Sequence, residues 1–215
     1  MALSTGINVS QMYSQLNNFR EVTENIVSNL SETVVNFASV LVENWASPNA
    51  MKFANDYNYK LIDVSVEPKK VFDAILQDAA FAAQKMARGN GVSFDAGKYA
   101  IQHPYSMYYG YGALSGMQES FGGDYGMDVK AVSTALDDFS SKMKNIVASM
   151  IEIPSDISLY DPEGRLKVSF ISRIHSAIGT VTDIVNSVES SVRASLLNEK
   201  DVVVSSAKSA QSDLS

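Results

Sequence analysis

The sequence predicts an all-α protein in which two long antiparallel helical hairpins pack as an elongated four-helix bundle, joined by a connector rich in glycine and tyrosine. Apolar residues recur every three or four positions over long stretches, which is the spacing of one helical face. Proline-containing bends interrupt this pattern at residues 45–48 and again at 160–164. Hydrophobic residues make up 46% of the chain, which is enough to form a large core.

The composition argues against several functional classes. The 215 residues carry a formal net charge of -7 and include no cysteine. We therefore expect no nucleic-acid partner, no disulfide and no thiolate metal site. The first residues lack the basic and apolar regions of a cleavable signal peptide, and the apolar runs are too short to span a membrane. We expect a protein that is secreted or placed at the cell surface without such a signal, or otherwise one in the cytoplasm or within a particle.

Residues 1–91 are predicted to form the first hairpin, with Asn8 or Ser10 as the N-cap of its first helix. The apolar stripe of that helix has steps of three or four and contains no glycine or proline. Its members are Met12, Leu16, Phe19, Val22, Ile26, Leu30, Val34, Phe37, Leu41 and Trp45. At the bend, Ser47 can cap the second helix, and Pro48 suits its first position because no N–H is needed there.

The second helix continues the same spacing through a proline. Its predicted stripe is Ala50, Phe53, Tyr57, Leu61, Val64, Val71, Ile75, Ala79, Ala82 and Met86. Because Pro68 removes a helical hydrogen bond, we expect a kink or short break near residues 64–67, without a shift of the stripe. The sequence Arg88-Gly89-Asn90-Gly91 is typical of a helix end, with a cation in the last turn and glycine after it.

Residues 92–126 lose the helical period and form the predicted connector. Long segments of this kind either cross from one element to the next or carry a function. Tyrosine gives a large adaptable contact area. The alternative to a simple crossing is therefore a surface for a protein partner, and its candidate residues are Tyr99, Tyr105, Tyr108, Tyr109 and Tyr111.

Residues 127–198 are predicted to form the second hairpin, and 199–215 a polar tail. The third helix starts near Met127, and Pro154 either kinks it or ends it early. The turn is assigned to Tyr160, Asp161, Pro162 and Gly164, with Asp161 as cap and Pro162 at the first position of the fourth helix. The fourth stripe runs from Leu166 to Leu196. The matched stripes indicate an internal repeat.

The sequence predicts no enzyme, and we assign no catalytic, cofactor-binding or metal-ligating residue. His103 and His175 are the only histidines, and neither has a partner suggested by the sequence. Asp137 and Asp138 are neighbours on a helix and so point apart.

The bend resembles the WXG100 (ESAT-6-like) family. The match lies in Trp45 and in Ala50 and Phe53 after it, with Ser47 and Pro48 between them. Ser47 replaces the glycine of the family's Trp-x-Gly motif, and the chain is about twice the family's usual length. The second turn would be a degenerate copy, with Tyr160 for the tryptophan and Gly164 displaced. The resemblance implies a fused form of a small four-helix dimer that leaves the cell by type VII secretion.

Three functional hypotheses follow. The first is a non-enzymatic interaction protein of the WXG100 type, acting as a secreted factor or as a partner or chaperone, with the secretion machinery among its protein partners. The second is a structural subunit of a phage particle or another assembly of its own copies, suggested by the connector. The third is a membrane-active helical protein, which we rank last because the chain is acidic and anionic membranes repel it.

Overall fold

We describe the fold from a computed structural model of the chain, over residues 8–100, 112–120, 122, 125–153 and 165–212. Four long helices dominate, and a two-stranded sheet connects one end of the first helix to the start of the third. In chain order the elements are α1 (Val9–Asn44), β1 (Trp45–Ala46), α2 (Pro48–Gly89), a short 3₁₀ helix (Ala96–Tyr99), β2 (Gly126–Met127), α3 (Val129–Glu152) and α4 (Arg165–Ser212).

The four helices close into one bundle. Helix α1 packs on α2 and α3, and α4 packs on the same two helices, so the order around the bundle is α1, α2, α4, α3. Strand β1, directly after α1, pairs antiparallel with β2, just before α3. The end of α1 therefore lies beside the start of α3, and the two helices are antiparallel. The prediction of an all-α bundle of long helices is confirmed.

The pairing of α2 with α4 is antiparallel as well. Tyr57, near the start of α2, bonds Ser187 at the middle of α4. Asp78, further along α2, pairs with Arg173 near the start of α4. The bend at Trp45 therefore lies at one end of the bundle, whereas α3 ends and α4 begins at the other.

Three of the helices begin with a polar N-cap side chain of the kind that the sequence predicts. Asn8 caps α1 by accepting the backbone N–H of Gln11 at 3.0 Å. Ser47 caps α2, with Pro48 as its first residue, and Asp128 caps α3. Each side chain satisfies a backbone donor that has no partner inside its helix.

Helix α2 ends within the stop predicted at residues 88–91. The last helical residue is Gly89, but Gly91 is the one with positive φ, at 71°. The N–H of Val92 bonds the carbonyl of Ala87 at 2.9 Å, and that of Gly91 bonds Arg88 at 3.1 Å. These two bonds form a Schellman motif, which satisfies carbonyls at the helix end.

The core follows the predicted stripe of α1 with one exception. Leu30 is fully buried, and Ile146 of α3 packs partly buried against the same core. Val22 is 37% exposed, and Thr23 is buried in its place. The Thr23 hydroxyl bonds the carbonyls of Phe19 and Arg20, so burying it leaves no unpaired donor.

In α2 the buried face continues through the proline. The helix is assigned without interruption through Pro68, which is itself buried, so the predicted break is absent. Beyond it Ile75 and Ala79 are buried as predicted. Phe72, Ala83 and Ala87 are buried next to the predicted Val71, Ala82 and Met86, of which Val71 and Met86 pack partly buried against the core. The predicted stripe therefore continues past Pro68, and at three of its positions the following residue is the more deeply buried one. A helix of 3.6 residues per turn drifts against any fixed spacing of three and four, and so either neighbour can face the core.

The second hairpin differs from its prediction at both ends. Helix α3 ends at Glu152, before Pro154, which is one of the two predicted outcomes. Helix α4 continues past residue 198 to Ser212, so most of the predicted polar tail is helical. Residues 199–212 contain neither glycine nor proline, and nothing in them terminates a helix. The predicted turn residues Tyr160, Asp161, Pro162 and Gly164 lie outside the described part of the chain.

Candidate functional site

The bend at Trp45 is deeply buried, and we call it the Trp45 end. Trp45 and Ala46 are both 0% exposed. The Ser47 hydroxyl accepts the indole N–H of Trp45 at 3.1 Å and the backbone N–H of Ala50 at 3.1 Å. One oxygen therefore caps α2 and also satisfies the single polar atom of the tryptophan.

An aromatic row connects the Trp45 end to α4. The Trp45 and Phe53 rings lie 5.4 Å apart, and Phe53 stacks on Tyr57 at 4.7 Å. The Tyr57 hydroxyl lies 2.9 Å from the Ser187 hydroxyl and 3.2 Å from its carbonyl oxygen. The predicted turn residue Phe53 is thus a core residue that links the two hairpins.

Backbone pairing joins the same end to the segment that precedes α3. Trp45 pairs with Met127 and Ala46 with Gly126, and Ala46 also forms a bridge with Gln118. The N–H of Asp128 donates to the carbonyl of Asn44 at 2.8 Å. The backbone groups at the bend, which leave the helical ladder, are therefore paired with the connector and the start of α3.

The last part of the connector packs against α1 and α2 near this end. The N–H of Leu114 donates to the side-chain oxygen of Asn58 at 2.6 Å, and Leu114 is 1% exposed. A methyl group on Gly112 would overlap the Asn58 amide, and one on Gly116 would lie 2.9 Å from Val42. Glycine at these two positions allows the connector to lie close to the helices.

The first part of the connector packs at the opposite end of α1, and we call this the Tyr13 end. The Tyr13 ring stacks on Phe94 at 4.5 Å, and its hydroxyl accepts the N–H of Asp95 at 2.9 Å. Lys98 lies over the Tyr13 ring, with its Nζ 4.9 Å from the centroid. The carbonyl of Phe94 accepts the side chain of Gln84 on α2.

Tyr99 belongs to this cluster and is not a free surface residue. It is 5% exposed, its hydroxyl donates to Asn17 at 3.1 Å, and the Arg20 guanidinium lies 5.7 Å from its ring centroid. Burial raises the pKa of Tyr99, with Arg20 opposing and Tyr13 adding to the shift. Tyr99, a predicted partner-contact residue, therefore packs inside the chain and offers little surface to a partner. The other candidates, Tyr105, Tyr108, Tyr109 and Tyr111, lie outside the described residues.

Between the two ends, α1 and α2 leave an open groove of about 510 Å³, which we call the α1/α2 groove. Its apolar lining includes Val27, Val35, Val66 and Phe72, and its polar lining includes Glu24, Ser28, Ser31, Glu32 and the ion pair of Lys69 with Asp73. Val35 is 56% exposed. A concave apolar strip with polar edges is suited to binding a peptide segment.

The contact between α1 and α3 has depressions that are more open than the α1/α2 groove. One of about 490 Å³ lies beside Asn44, Asp128 and Ala131, and another of about 280 Å³ lies beside Asn29, Asn36 and Lys142. Small residues such as Ala131 and Ala135 leave space between the helices there. These depressions lack the continuous apolar strip of the α1/α2 groove.

A polar network joins α3 and α4. Arg193 bonds Glu189 at 2.9 Å and Asp137 at 3.0 Å, and Glu189 accepts the Ser140 hydroxyl at 3.1 Å. The hydrogen bond from Arg193 is the main cause that lowers the pKa of Glu189. The network lies at the exposed edge of the contact between α3 and α4. Exposed pairs of this kind add little to the stability of the fold, but they favour one register of the two helices.

Within the described ranges, no three histidine, aspartate or glutamate side chains come together as metal ligands do. No described helix has a stretch that is long and apolar enough to cross a bilayer. The Tyr13 cluster could not be found from the sequence, because it depends on residues that only the folded chain brings together. The second bond of Ser47 is local, since Trp45 lies two residues away, but from the sequence we predicted only the capping bond.

Comparisons with known proteins give no further assignment. No family model matches the chain, and neither the curated proteins nor the solved structures include one with detectable similarity to it.

Proposed function

We propose that this chain is a non-enzymatic helical interaction protein of the WXG100 type, which acts on protein partners as an exported factor or as a partner or chaperone of one. The observation that carries this proposal is the Trp45 end. The residues on which the resemblance depends, Trp45, Ser47, Ala50 and Phe53, are the ones that build a single buried turn between two long helices.

The role of Ser47 supports the proposal at the position where the sequence departs from the family motif. The motif has glycine there, whereas the Ser47 oxygen both caps α2 and accepts the indole N–H of Trp45. Serine therefore meets the conformational needs of the turn and adds a bond that glycine does not provide.

The arrangement of the hairpins supports the idea of a fused dimer. Each hairpin contributes two antiparallel helices, and the two pairs close one bundle within a single chain. A chain of this kind needs no second copy to bury its apolar stripes, which leaves its outer faces for a different partner.

The test is export in the native host. We expect the protein in the culture supernatant, and we expect it to be lost from there when the ATPase gene of the type VII system is deleted. A cytoplasmic marker controls for lysis, and a protein with a cleavable signal peptide controls for general secretion. Retention of all the protein in the cells of both strains would contradict the proposed export.

The second candidate is a subunit of a larger assembly, and the length of α4 favours it. Arg193 pairs with Asp137, which lies eight residues after the start of α3. Because the two helices are antiparallel, α4 passes the start of α3 near residue 201 and extends about 17 Å further, at 1.5 Å per residue. A single helix end of this length gains little stability alone, so contact with another chain would stabilise it.

Light scattering across a wide range of protein concentration tests this candidate. If the projecting part of α4 joins copies, the average mass should rise with concentration, and Leu197→Asp should reduce the rise. Leu197 is 65% exposed at the base of that part. Val168→Asp is the control, because Val168 is 68% exposed near the other end of α4. A monomer at every concentration would remove the candidate.

A further inference from the structure

The floor of the α1/α2 groove is apolar. Val27 and Val35 of α1 and Val66 of α2 line it, and Phe72 lies at its base with 2% of its surface exposed. Thr23 also lines the groove, but its hydroxyl is already bonded to two carbonyls of its own helix. The floor therefore asks for no polar partner, and it suits apolar side chains.

The rim of the groove is acidic. Glu24 and Glu32 lie on the α1 side, and both are exposed. On the α2 side, Lys69 and Asp73 form an ion pair at 2.9 Å, so their charges cancel. Within the described ranges, neither glutamate pairs with a cation. The rim therefore carries two carboxylates that attract a cationic group from outside the bundle.

The walls of the groove offer no backbone edge to a ligand. Both walls are continuous helices, whose N–H and C=O groups bond within the helix. Pro68 leaves the carbonyl of Val64 without its usual donor, but Val64 is 0% exposed. An extended peptide binds by pairing with a free backbone edge, whereas a helix satisfies its own backbone and binds through side chains. The groove therefore suits a helix.

We propose that the α1/α2 groove binds a basic amphipathic helix of a partner protein. Apolar side chains of that helix, at positions i, i+4 and i+7, fill the floor beside Val27 and Val35. Glu24 and Glu32 are eight residues apart, or about 12 Å along α1. Two Lys or Arg residues about two turns apart on the partner match that distance, and their aliphatic stems cover the exposed valine.

This role rests on the proposed function in protein interaction, and it names the class of partner. Export is tested in the host, whereas the helix is tested on the purified full chain. Each can therefore fail while the other stands.

Two synthetic helical peptides test the chemistry of the partner. Both carry leucine at positions i, i+4, i+7 and i+11, and they differ only in their flanking residues, which are lysine in one and glutamate in the other. We expect the lysine peptide to bind at least about tenfold more tightly at low salt, because the rim attracts it and repels its twin. The fluorescence anisotropy of a label on each peptide measures both affinities. Equal binding, or no binding of the lysine peptide, would overturn the proposal.

Charge reversal separates the groove from the general negative charge of the chain. Glu24→Lys combined with Glu32→Lys should invert the preference, so that the glutamate peptide binds more tightly. The control combines Glu43→Lys with Asp183→Lys, because both residues are exposed outside the groove and the change in net charge is the same. The control should keep the preference for lysine and change each affinity by less than about threefold. An inversion by the control as well would place the binding elsewhere and overturn the proposal.

Val35→Ser tests the apolar contact. Val35 is 56% exposed in the groove, and its replacement should weaken binding of the lysine peptide by about fivefold. Val22→Ser should leave it unchanged, since Val22 is 37% exposed outside the groove. Circular dichroism must show equal helix content in all variants. Equal effects of the two changes would overturn the proposal, as would light scattering that shows a dimer of the natural chain that the double glutamate variant loses, which would assign the groove to a second copy.

Discussion

The two ends of helix α1 are both held by the connector, but through different chemistry. At the Trp45 end, a tryptophan and an alanine are fully buried, and backbone strands and one serine satisfy the polar atoms. At the Tyr13 end, a ring stack and two cation–aromatic contacts hold the connector, and several of their hydrogen bonds are exposed.

The difference indicates a division of roles. Burial of apolar area without unpaired polar groups is the larger source of stability, so the Trp45 end should dominate the free energy of unfolding. Exposed hydrogen bonds and cation–aromatic contacts contribute less, because water competes for the same groups. The Tyr13 end should therefore open first, and the predictions below test that order.

Trp45→Ala should have the largest effect. Removal of a fully buried tryptophan leaves a cavity and deletes the partner of Ser47, and we expect a loss of about 3–5 kcal/mol. Chemical denaturation measures this loss. Tyr59→Ala is the control, since Tyr59 is 71% exposed on α2 and should change stability by less than about 0.5 kcal/mol. Equal effects of the two changes would mean that Trp45 is exposed and serves a partner.

Gly112→Ala and Gly179→Ala should change stability in opposite directions. An added methyl group at Gly112 overlaps the Asn58 amide and displaces it from the N–H of Leu114, at a cost of about 1–3 kcal/mol. Gly179 lies within α4 with no atom within 4 Å of the added group, and alanine there should stabilise the helix by about 0.5–1 kcal/mol. Thermal melts of both variants check the signs. A stable Gly112→Ala variant would show that the connector is not held closely at the Trp45 end.

Tyr13→Phe should have a smaller effect. The ring and its stack on Phe94 remain, and only the hydroxyl that accepts the Asp95 N–H is lost. Since that bond is exposed, we expect a loss of about 0.5–1 kcal/mol. Denaturation measures the total loss of stability. Amide hydrogen exchange should rise in residues 94–100 before it rises at the Trp45 end. A loss as large as that of Trp45→Ala would contradict the division of roles.

The smallest expected effect is on the stability of the fold at alkaline pH. Burial raises the pKa of Tyr99, so the folded state favours the neutral phenol. The stability linked to this group is complete below the unfolded pKa of about 10 and falls as the pH rises through the higher folded value. We expect Tyr99→Phe to lose stability less steeply than the natural chain above about pH 10. Unfolding curves measured at several alkaline pH values would show this, and identical slopes would mean that Tyr99 is not buried.

The sequence was sufficient to predict the long helices and the residues that cap them. Long amphipathic stripes have strong periodicity, and the caps Asn8 and Ser47 act within three residues of their partners, so local spacing predicts them. Where two neighbours can both face the core, as Val22 and Thr23 can, the choice depends on packing between helices. The extension of α4 past residue 198 was missed because polarity was taken as a sign of a tail, although the segment contains no helix breaker.

The parts that sequence reasoning missed are contacts between distant residues. Strands β1 and β2 have two residues each, which is too short for a periodic signal, and they lie about 80 positions apart in the chain. The Tyr13 cluster also joins residues that are far apart in sequence. From the sequence, Tyr99 looked like part of a tyrosine-rich surface, and only the packing of the connector on α1 shows that it is buried.

Fluorescence of the single tryptophan most directly tests the claim that the two hairpins meet at a buried Trp45. Because Trp45 is the only tryptophan, its emission and its quenching by acrylamide report on this position alone. We predict blue-shifted emission and quenching far weaker than that of free tryptophan in the same buffer, with both lost on unfolding. Emission and quenching equal to those of free tryptophan in the native protein would contradict the claim.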